Sequence, residues 1–199
     1  MRAEGRKITV IGPSGVGKTT LIYRLCYGSF LEDSKPTVGA SYSEVLIRGI
    51  NEVEYSAQFW DTAGLERYNS VIPTYFPNTF IFFLVFDLSD EESLHRMILM
   101  CMALFQRVDG KSARFYMIGN KKDVDNSSEW RKRISAFRDT LRFVDYFETS
   151  AKTGENCGLV LHQLSRDCCT LIVPRSIEVA LPPSGRGANS EEAVKKKCC

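Results

Sequence analysis

The spacing of hydrophobic positions changes period several times along the chain. Lys7–Ile11 is short and rich in β-branched residues, which predicts a buried strand. In Thr20–Cys26 the apolar positions Leu21, Ile22 and Leu25 fall on one helical face. Residues 28–37 are polar and broken by Pro36, so they form a loop. Ser41–Ile47, with Tyr42, Val45 and Ile47 apolar, and Val53–Trp60 read as two strands of a hairpin joined through residues 48–52. Thr79–Asp87 contains six successive apolar residues, Ile81–Phe86, as a strand buried on both faces requires.

The second half continues the alternation. Ser89–Gln106 is a predicted helix, with Ser89 as its cap, Glu91 and Glu92 in its first turn and Gly110 beyond its end. Arg114–Gly119 is a strand. Asn126-Ser127-Ser128-Glu129 has capping-box spacing and opens a basic helix running to Asp139. Arg142–Glu148 is the last strand. Gly154–Val173 is the last helix, with Leu161, Leu164, Cys168 and Leu171 on one stripe and Pro174 as its stop. Strands alternating with helices imply an α/β fold with a mostly parallel sheet, and the early hairpin supplies one antiparallel edge strand. After Pro174 the composition turns to Pro, Gly, Ser and charge, the signature of a flexible tail.

Composition narrows the class. The chain has 199 residues, 44% hydrophobic and 25% charged, enough for one globular domain and a tail. The net charge of +2 gives no global sign of nucleic-acid binding, and the basic residues Arg131, Lys132, Arg133 and Arg138 read as a solvated face. Residues 1–7 are too polar for a signal peptide, and the apolar runs 81–86 and 97–105 fall far short of the ~20 residues of a membrane span. Cys26, Cys101, Cys157, Cys168 and Cys169 have no metal-ligand spacing and read as small buried hydrophobes in a reducing, cytosolic setting. His95 and His162 fall on predicted helices, in surface or packing roles.

Chemistry enters at Gly12-Pro13-Ser14-Gly15-Val16-Gly17-Lys18-Thr19, which has the spacing G-x-x-x-x-G-K-[ST] between a strand and a helix. Glycines let backbone N–H groups turn inward around an anion, and the helix that follows adds the positive end of its dipole. Ser14, Gly15, Val16, Gly17, Lys18, Thr19 and Thr20 are thus candidate nucleotide-binding residues. Lys18 supplies charge to the β- and γ-phosphates, and Thr19 offers a hydroxyl to Mg²⁺. In Trp60-Asp61-Thr62-Ala63-Gly64, Asp61 ends a hydrophobic strand, where its carboxylate can reach Mg²⁺ through a water. The N–H of Gly64 can approach a γ-phosphate closely because no side chain intervenes. Asn120-Lys121-Lys122-Asp123 follows another strand. The Asp123 carboxylate matches the N1–H and N2 amine of guanine, a donor pair that adenine lacks, which disfavours an ATP-using kinase. Asn120 braces neighbouring loops, and the Lys121 stem covers the base. Thr149-Ser150-Ala151-Lys152 follows the last strand and presents the Ala151 N–H to the guanine carbonyl.

With these motifs in this order, the chain resembles the Ras superfamily of small GTPases, and within it the Rab branch, over roughly residues 6–173 and the C-terminal end. The resemblance implies a P-loop NTPase three-layer fold: a six-stranded, mostly parallel sheet with one antiparallel edge strand and helices on both faces. Residues 1–173 would be the GTPase domain and 174–199 the variable tail. It implies GTP/GDP and Mg²⁺ as ligands, with Thr19, Thr37 and Asp61 at the metal, Phe30 against the guanine ring, and Ser150, Ala151 and Lys152 at the base. Lys18, Thr37, Gly64 and position 65 are the implied catalytic positions. Tyr42, Trp60 and Tyr75 match the aromatic cluster that Rab proteins show to effectors, and residues 66–72 look like the Rab second switch. The terminal Cys198-Cys199, after three lysines, resembles the double geranylgeranylation site. Two lipid chains, or one chain with a basic patch, anchor stably where one alone is marginal. Family analogy adds effectors, an exchange factor, a GTPase-activating protein, a GDP-dissociation inhibitor and the prenylation machinery. It places a monomer on the cytoplasmic face of intracellular membranes, cycling with cytosol, in vesicle traffic.

Several positions depart from the Rab pattern: residues 38–42 are a loose match, Pro77-Asn78-Thr79 replaces Arg-Gly-Ala, and helix 89–106 lacks the usual beginning. The largest departure is Leu65, where most of the family carries a glutamine that orients the attacking water. Leucine has no donor or acceptor, so slow intrinsic hydrolysis and a persistent GTP-bound state are expected, with nucleotide binding retained. Rab-type GTPase-activating proteins can supply a glutamine in trans. The alternative is a near-inactive GTP-binding scaffold that acts as a protein-interaction module.

Overall fold

The computed structural model describes residues 4–37, 39–62, 76–106, 108, 113–124, 130–140 and 145–170. Strands β1 (Glu4–Ile11), β2 (Ala40–Arg48), β3 (Glu54–Thr62), β4 (Ile81–Asp87), β5 (Arg114–Asn120) and β6 (Asp145–Glu148) form one sheet in the order β2-β3-β1-β4-β5-β6. Every pairing is parallel except β2 with β3, the expected antiparallel edge hairpin. Helices α1 (Lys18–Tyr27), α2 (Glu91–Phe105), α3 (Arg131–Thr140) and α4 (Cys157–Thr170) cover both faces. This is the six-stranded, mostly parallel sheet with one antiparallel edge strand and helices on both faces that the sequence leads one to expect.

The hydrophobic pattern explains the layering. Ile81–Phe86 are fully buried, because alternate residues of β4 enter opposite cores. Phe83 and Val85 join the core under α1 and α4, with Leu21, Leu25, Val160 and Leu164. Phe82, Leu84 and Phe86 join the core under α2 and α3, with Met97, Cys101 and Ile134. Each such side chain contributes about 1.5–3 kcal/mol by leaving water. Leu164 and Cys168 of the predicted stripe are buried, while Leu171 lies outside the described residues.

Two helix starts differ from the sequence reading. Ser89 does not cap α2: its N–H and hydroxyl both donate to Asp87 Oδ1, at 2.8 and 2.6 Å. The cap passes to Asp90, which accepts from the Glu92 N–H at 3.0 Å. The last helix starts at Cys157, three residues after Gly154. Residues 150–156 are instead wound into a turn, with Gly154 and Asn156 at positive φ and the Gly154 N–H bonded to Ser150 O. The predicted capping box 126–129 lies outside the described residues, and α3 begins at Arg131.

The cysteines behave as small hydrophobes. Cys101, Cys157 and Cys168 are buried, and Cys26 and Cys169 half-buried. Burial pushes the thiols of Cys26 and Cys157 up to about 11 and that of Cys168 up to about 12, which leaves them protonated and inert at neutral pH. His95 and His162 are exposed on α2 and α4. Among the described residues no helix is long and apolar enough to cross a membrane.

Candidate functional site

Four segments meet at the C-terminal edge of the sheet: residues 12–19 after β1, Asp61 and Thr62 at the end of β3, residues 120–123 after β5 and residues 149–152 after β6. Ligands bind at this edge of a parallel sheet because the loops there converge at the helix N-termini.

The first loop needs its glycines for different reasons. Gly15 and Gly17 have φ of +80° and +88°, a region costly for other residues. A Cβ on Gly12 would strike the carbonyl oxygen of Val85 on β4, so this glycine sets how closely the loop approaches the sheet. Lys18 is buried, and its ammonium donates to the carbonyls of Gly12 and Pro13 at 2.9 and 2.8 Å, which folds the side chain across the loop. Val16 is buried beneath it, and Thr20 donates to Gly17 O at 3.0 Å within the first turn of α1.

Three oxygen-bearing side chains cluster beside the loop. Thr19 Oγ1 donates to Asp61 Oδ2 at 2.5 Å, and Thr37 Oγ1 reaches the same oxygen at 3.2 Å. The two hydroxyls are 2.9 Å apart. The other carboxylate oxygen, Asp61 Oδ1, is buried without a hydrogen-bond partner among the described residues. Burial raises the Asp61 carboxyl above the usual range, opposed by the Thr19 hydrogen bond, the Lys18 charge and the Thr37 hydrogen bond. An under-satisfied buried carboxylate beside two hydroxyls is a donor set for a hard divalent cation, and it fits Mg²⁺. Among the described residues no group of three His, Cys, Asp or Glu side chains could hold a metal.

The loops after β1, β5 and β6 are tied into one body by Asn120. Its amide donates to Val16 O at 3.0 Å, and its carbonyl accepts from the Ala151 N–H at 3.2 Å and from Thr149 Oγ1 at 3.3 Å. Asn120 thus joins the 12–19 loop to the segment after β6. Here the Ala151 N–H is directed at Asn120. Asp123 is exposed, with Oδ1 held at 2.6 Å by the Ser150 hydroxyl, which orients the carboxylate. Lys121 has φ +63°, and its ammonium pairs with Asp87 Oδ2 at 2.7 Å, which fixes the direction of its stem. Lys152 is exposed, and Phe30 is half-buried in the loop after α1.

Two supporting residues escaped the sequence reading. Arg24 on α1 donates to Ala151 O at 2.7 Å, Lys152 O at 2.6 Å and Gly28 O at 2.6 Å, so one guanidinium holds the base loop against the first helix. No local pattern marks it, since two of its three partners, Ala151 and Lys152, are over 120 residues away. Asp87, which anchors Lys121, carries a signal that was there to read: a carboxylate ending an apolar strand, like Asp61. Arg24→Ala is expected to speed release of bound GDP on the order of tenfold, from the loss of charge-assisted bonds worth about 1.5–3 kcal/mol each, only part of which bears on the base loop. Release of a fluorescent GDP analogue, measured by stopped flow, checks this.

On the β2–β3 hairpin the rings of Tyr42 and Trp60 meet edge to face, with centroids 5.7 Å apart, and Tyr42 is 48% exposed. The Lys7 ammonium lies 4.7 Å over the Trp60 ring and donates to Pro77 O at 3.0 Å. Gly64, Leu65, the segment 66–72, Tyr75, Cys198 and Cys199 all lie outside the described residues.

Comparison with known proteins identifies the arrangement. A family model described as "Ras family" matches residues 7–170, nearly the whole of the described chain. The chain belongs to the Ras family. It is similar to Ras-related protein Rab-3 of Caenorhabditis elegans, at 34% identity over 82% of this chain and 74% of that protein. It is similar to Ras-related protein Ral-a of Drosophila melanogaster, at 31% over 96% and 92%. It is also similar to Ras-related protein Rab-25 of Oryctolagus cuniculus, at 30% over 97% and 92%. The chain is a Rab-like small GTPase of the Ras superfamily, a class that binds guanine nucleotide with Mg²⁺.

Proposed function

We propose that this small GTPase is a Rab-type GTP/GDP switch that regulates vesicle traffic and dwells in its GTP-bound form. The observation that carries the reading is the Thr19–Asp61–Thr37 cluster with its orphaned carboxylate oxygen, set beside a buried Lys18. Lys18 and the 12–19 backbone would hold the phosphates. Thr19 and Thr37 would hold Mg²⁺ directly and Asp61 through water. Bound there, the cation neutralises charge on the phosphate oxygens. Thr37 belongs to the first switch, so its hydroxyl ties the loop 28–37 to the nucleotide site and gives that loop two states.

The base side adds selectivity. Asp123, oriented by Ser150, pairs with the guanine edge, while Lys121 and Phe30 flank the ring. Gly64 supplies a backbone N–H to the γ-phosphate. At position 65 a leucine stands where a water-orienting side chain would act, so hydrolysis is slow and effectors meet the GTP form for longer. Tyr42, Trp60 and Tyr75 form the effector face. Residues 1–173 act as the switch domain, and 174–199 as a tether, prenylated at Cys198 and Cys199, that holds the domain on the cytoplasmic face of intracellular membranes. Exchange factor, GTPase-activating protein and GDP-dissociation inhibitor act on it as on other Rab proteins.

The test loads the purified chain with GTP and Mg²⁺ and follows bound nucleotide by chromatography. GTP is expected to remain the main bound species for hours at 25 °C. Conversion to GDP within minutes would overturn the persistent state, and failure to retain either nucleotide would overturn the switch.

A further inference from the structure

Two successive lysines precede Asp123, and the fold sends them to different partners. The Lys121 ammonium pairs with Asp87 Oδ2 at 2.7 Å, at the end of β4. The Lys122 ammonium pairs with Glu155 Oε1 at 2.6 Å, on the turn that precedes α4. The Lys122 backbone N–H also donates to Thr149 O at 3.0 Å. One residue therefore grips both ends of the 149–155 segment, by its main chain at one end and its side chain at the other.

Glu155 closes that segment into a turn. Its carbonyl accepts from the Ser150 N–H at 3.1 Å, while the Gly154 N–H donates to Ser150 O at 2.8 Å. Its neighbours Gly154 and Asn156 have φ of +85° and +59°, and Asn156 Nδ2 donates to Glu148 O at 2.7 Å. The backbone on both sides of Glu155 is thus fixed, which sets where its side chain leaves the turn.

These contacts join into a ring. Lys122 meets Glu155 through the ion pair, and Glu155 meets Ser150 through the backbone. The Ser150 hydroxyl donates to Asp123 Oδ1 at 2.6 Å, and Asp123 is the chain neighbour of Lys122. Within the ring only the Lys122–Glu155 contact joins two full charges. The two side chains are 29% and 49% exposed, so this is the link that dissolved salt screens directly.

We infer that Lys122 and Glu155 are positioning residues for the guanine base: their ion pair closes the ring that orients Asp123 and makes nucleotide release sensitive to ionic strength. The inference rests on the reading of Asp123 as the base-recognition carboxylate. Neither side chain has to touch the nucleotide. Opening the pair removes one constraint on the separation of the 120–123 loop from the turn, and so on the hold of Ser150 on Asp123. The effect falls on the dissociation rate, as most changes within one complex do. It is modest, because a partly exposed pair contributes little.

The test is a double-mutant cycle on the full chain loaded with a fluorescent GDP analogue and Mg²⁺, read by stopped flow. Lys122→Met and Glu155→Gln are each expected to speed release about threefold in low salt, and the double variant no more than either alone. In about 1 M salt, where the screening length falls to about 3 Å, all members of the cycle should release alike. Should Lys122→Met not fold, Lys122→Gln takes its place. Single effects that multiply in the double variant would mean that Lys122 acts on the nucleotide's charge and Glu155 on the start of α4, each alone, and would overturn the pairing. Single variants as slow as the native chain, or differences that survive high salt, would overturn it too. A native chain that retains no GDP analogue would remove the base-recognition reading itself, an outcome distinct from retention with a flat cycle.

Discussion

Replacing Leu65 by glutamine is expected to raise single-turnover GTP hydrolysis by about 10- to 100-fold, with nucleotide affinity nearly unchanged. Phosphoryl transfer asks little covalent chemistry of the protein, and its rate rests on positioning and on charge stabilisation. The groups proposed to stabilise charge lie together: Lys18 is buried on the loop carbonyls, and Thr19, Thr37 and Asp61 already touch one another. On the proposed reading, the attacking water would lack an acceptor and donor at position 65, because leucine offers neither. Restoring an amide there supplies the missing positioner without touching the phosphate loop, so the gain should appear in the rate and not in binding. Rapid-quench measurement on preloaded protein with Mg²⁺ separates the outcomes. A faster variant means a working site held back at one residue. Two equally inert proteins that still bind GTP would move the defect elsewhere and favour the scaffold reading. A native chain as fast as the variant would show that another group orients the water.

Asp123→Ala is expected to weaken GTP binding by two to four orders of magnitude and to abolish preference over ATP. The carboxylate would accept two hydrogen bonds from guanine, each worth about 1.5–3 kcal/mol when the acceptor is charged, about 3–6 kcal/mol together. Ser150 presently orients that carboxylate at 2.6 Å, and its hydroxyl also accepts from the Thr153 N–H at 3.0 Å, so the loop keeps one of its own bonds in the variant. Stability should fall little, because Asp123 is exposed. Competition titration with GTP and ATP, with a thermal melt as control, reads both effects. Unchanged selectivity in a folded variant would remove Asp123 from base recognition.

Much of the molecule was legible in its sequence, for identifiable reasons. The six strands could be located because β4 and β5 are apolar on both faces and the hairpin alternates, patterns that follow from backbone geometry alone. The candidate site was legible because phosphate, Mg²⁺ and guanine each impose a residue type at a set distance from a strand end. Gly12–Thr19, Asp61 and Asn120–Asp123 keep those distances. Local rivalry for a hydrogen bond was not legible. Ser89 looks like a cap, but Asp87 claims its hydroxyl, so Asp90 caps α2. The start of α4 was missed for a related reason, since residues 150–156 are spent on the turn that carries the base loop.

The sequence by itself determined the fold class and the antiparallel edge, and it named the candidate residues of the cleft, because periodicity and motif spacing are local properties that chain geometry turns directly into structure. Only the tertiary structure decided how the cleft is held. Arg24 grips carbonyls at Ala151 and Lys152, Asn120 bridges the loops after β1, β5 and β6, and Gly49 makes room for the end of α4. Most of these contacts join residues over one hundred positions apart, and Asn120 and Ala151 are 31 apart. Their geometry exists only once the sheet has set the order of its strands and packed the helices against it.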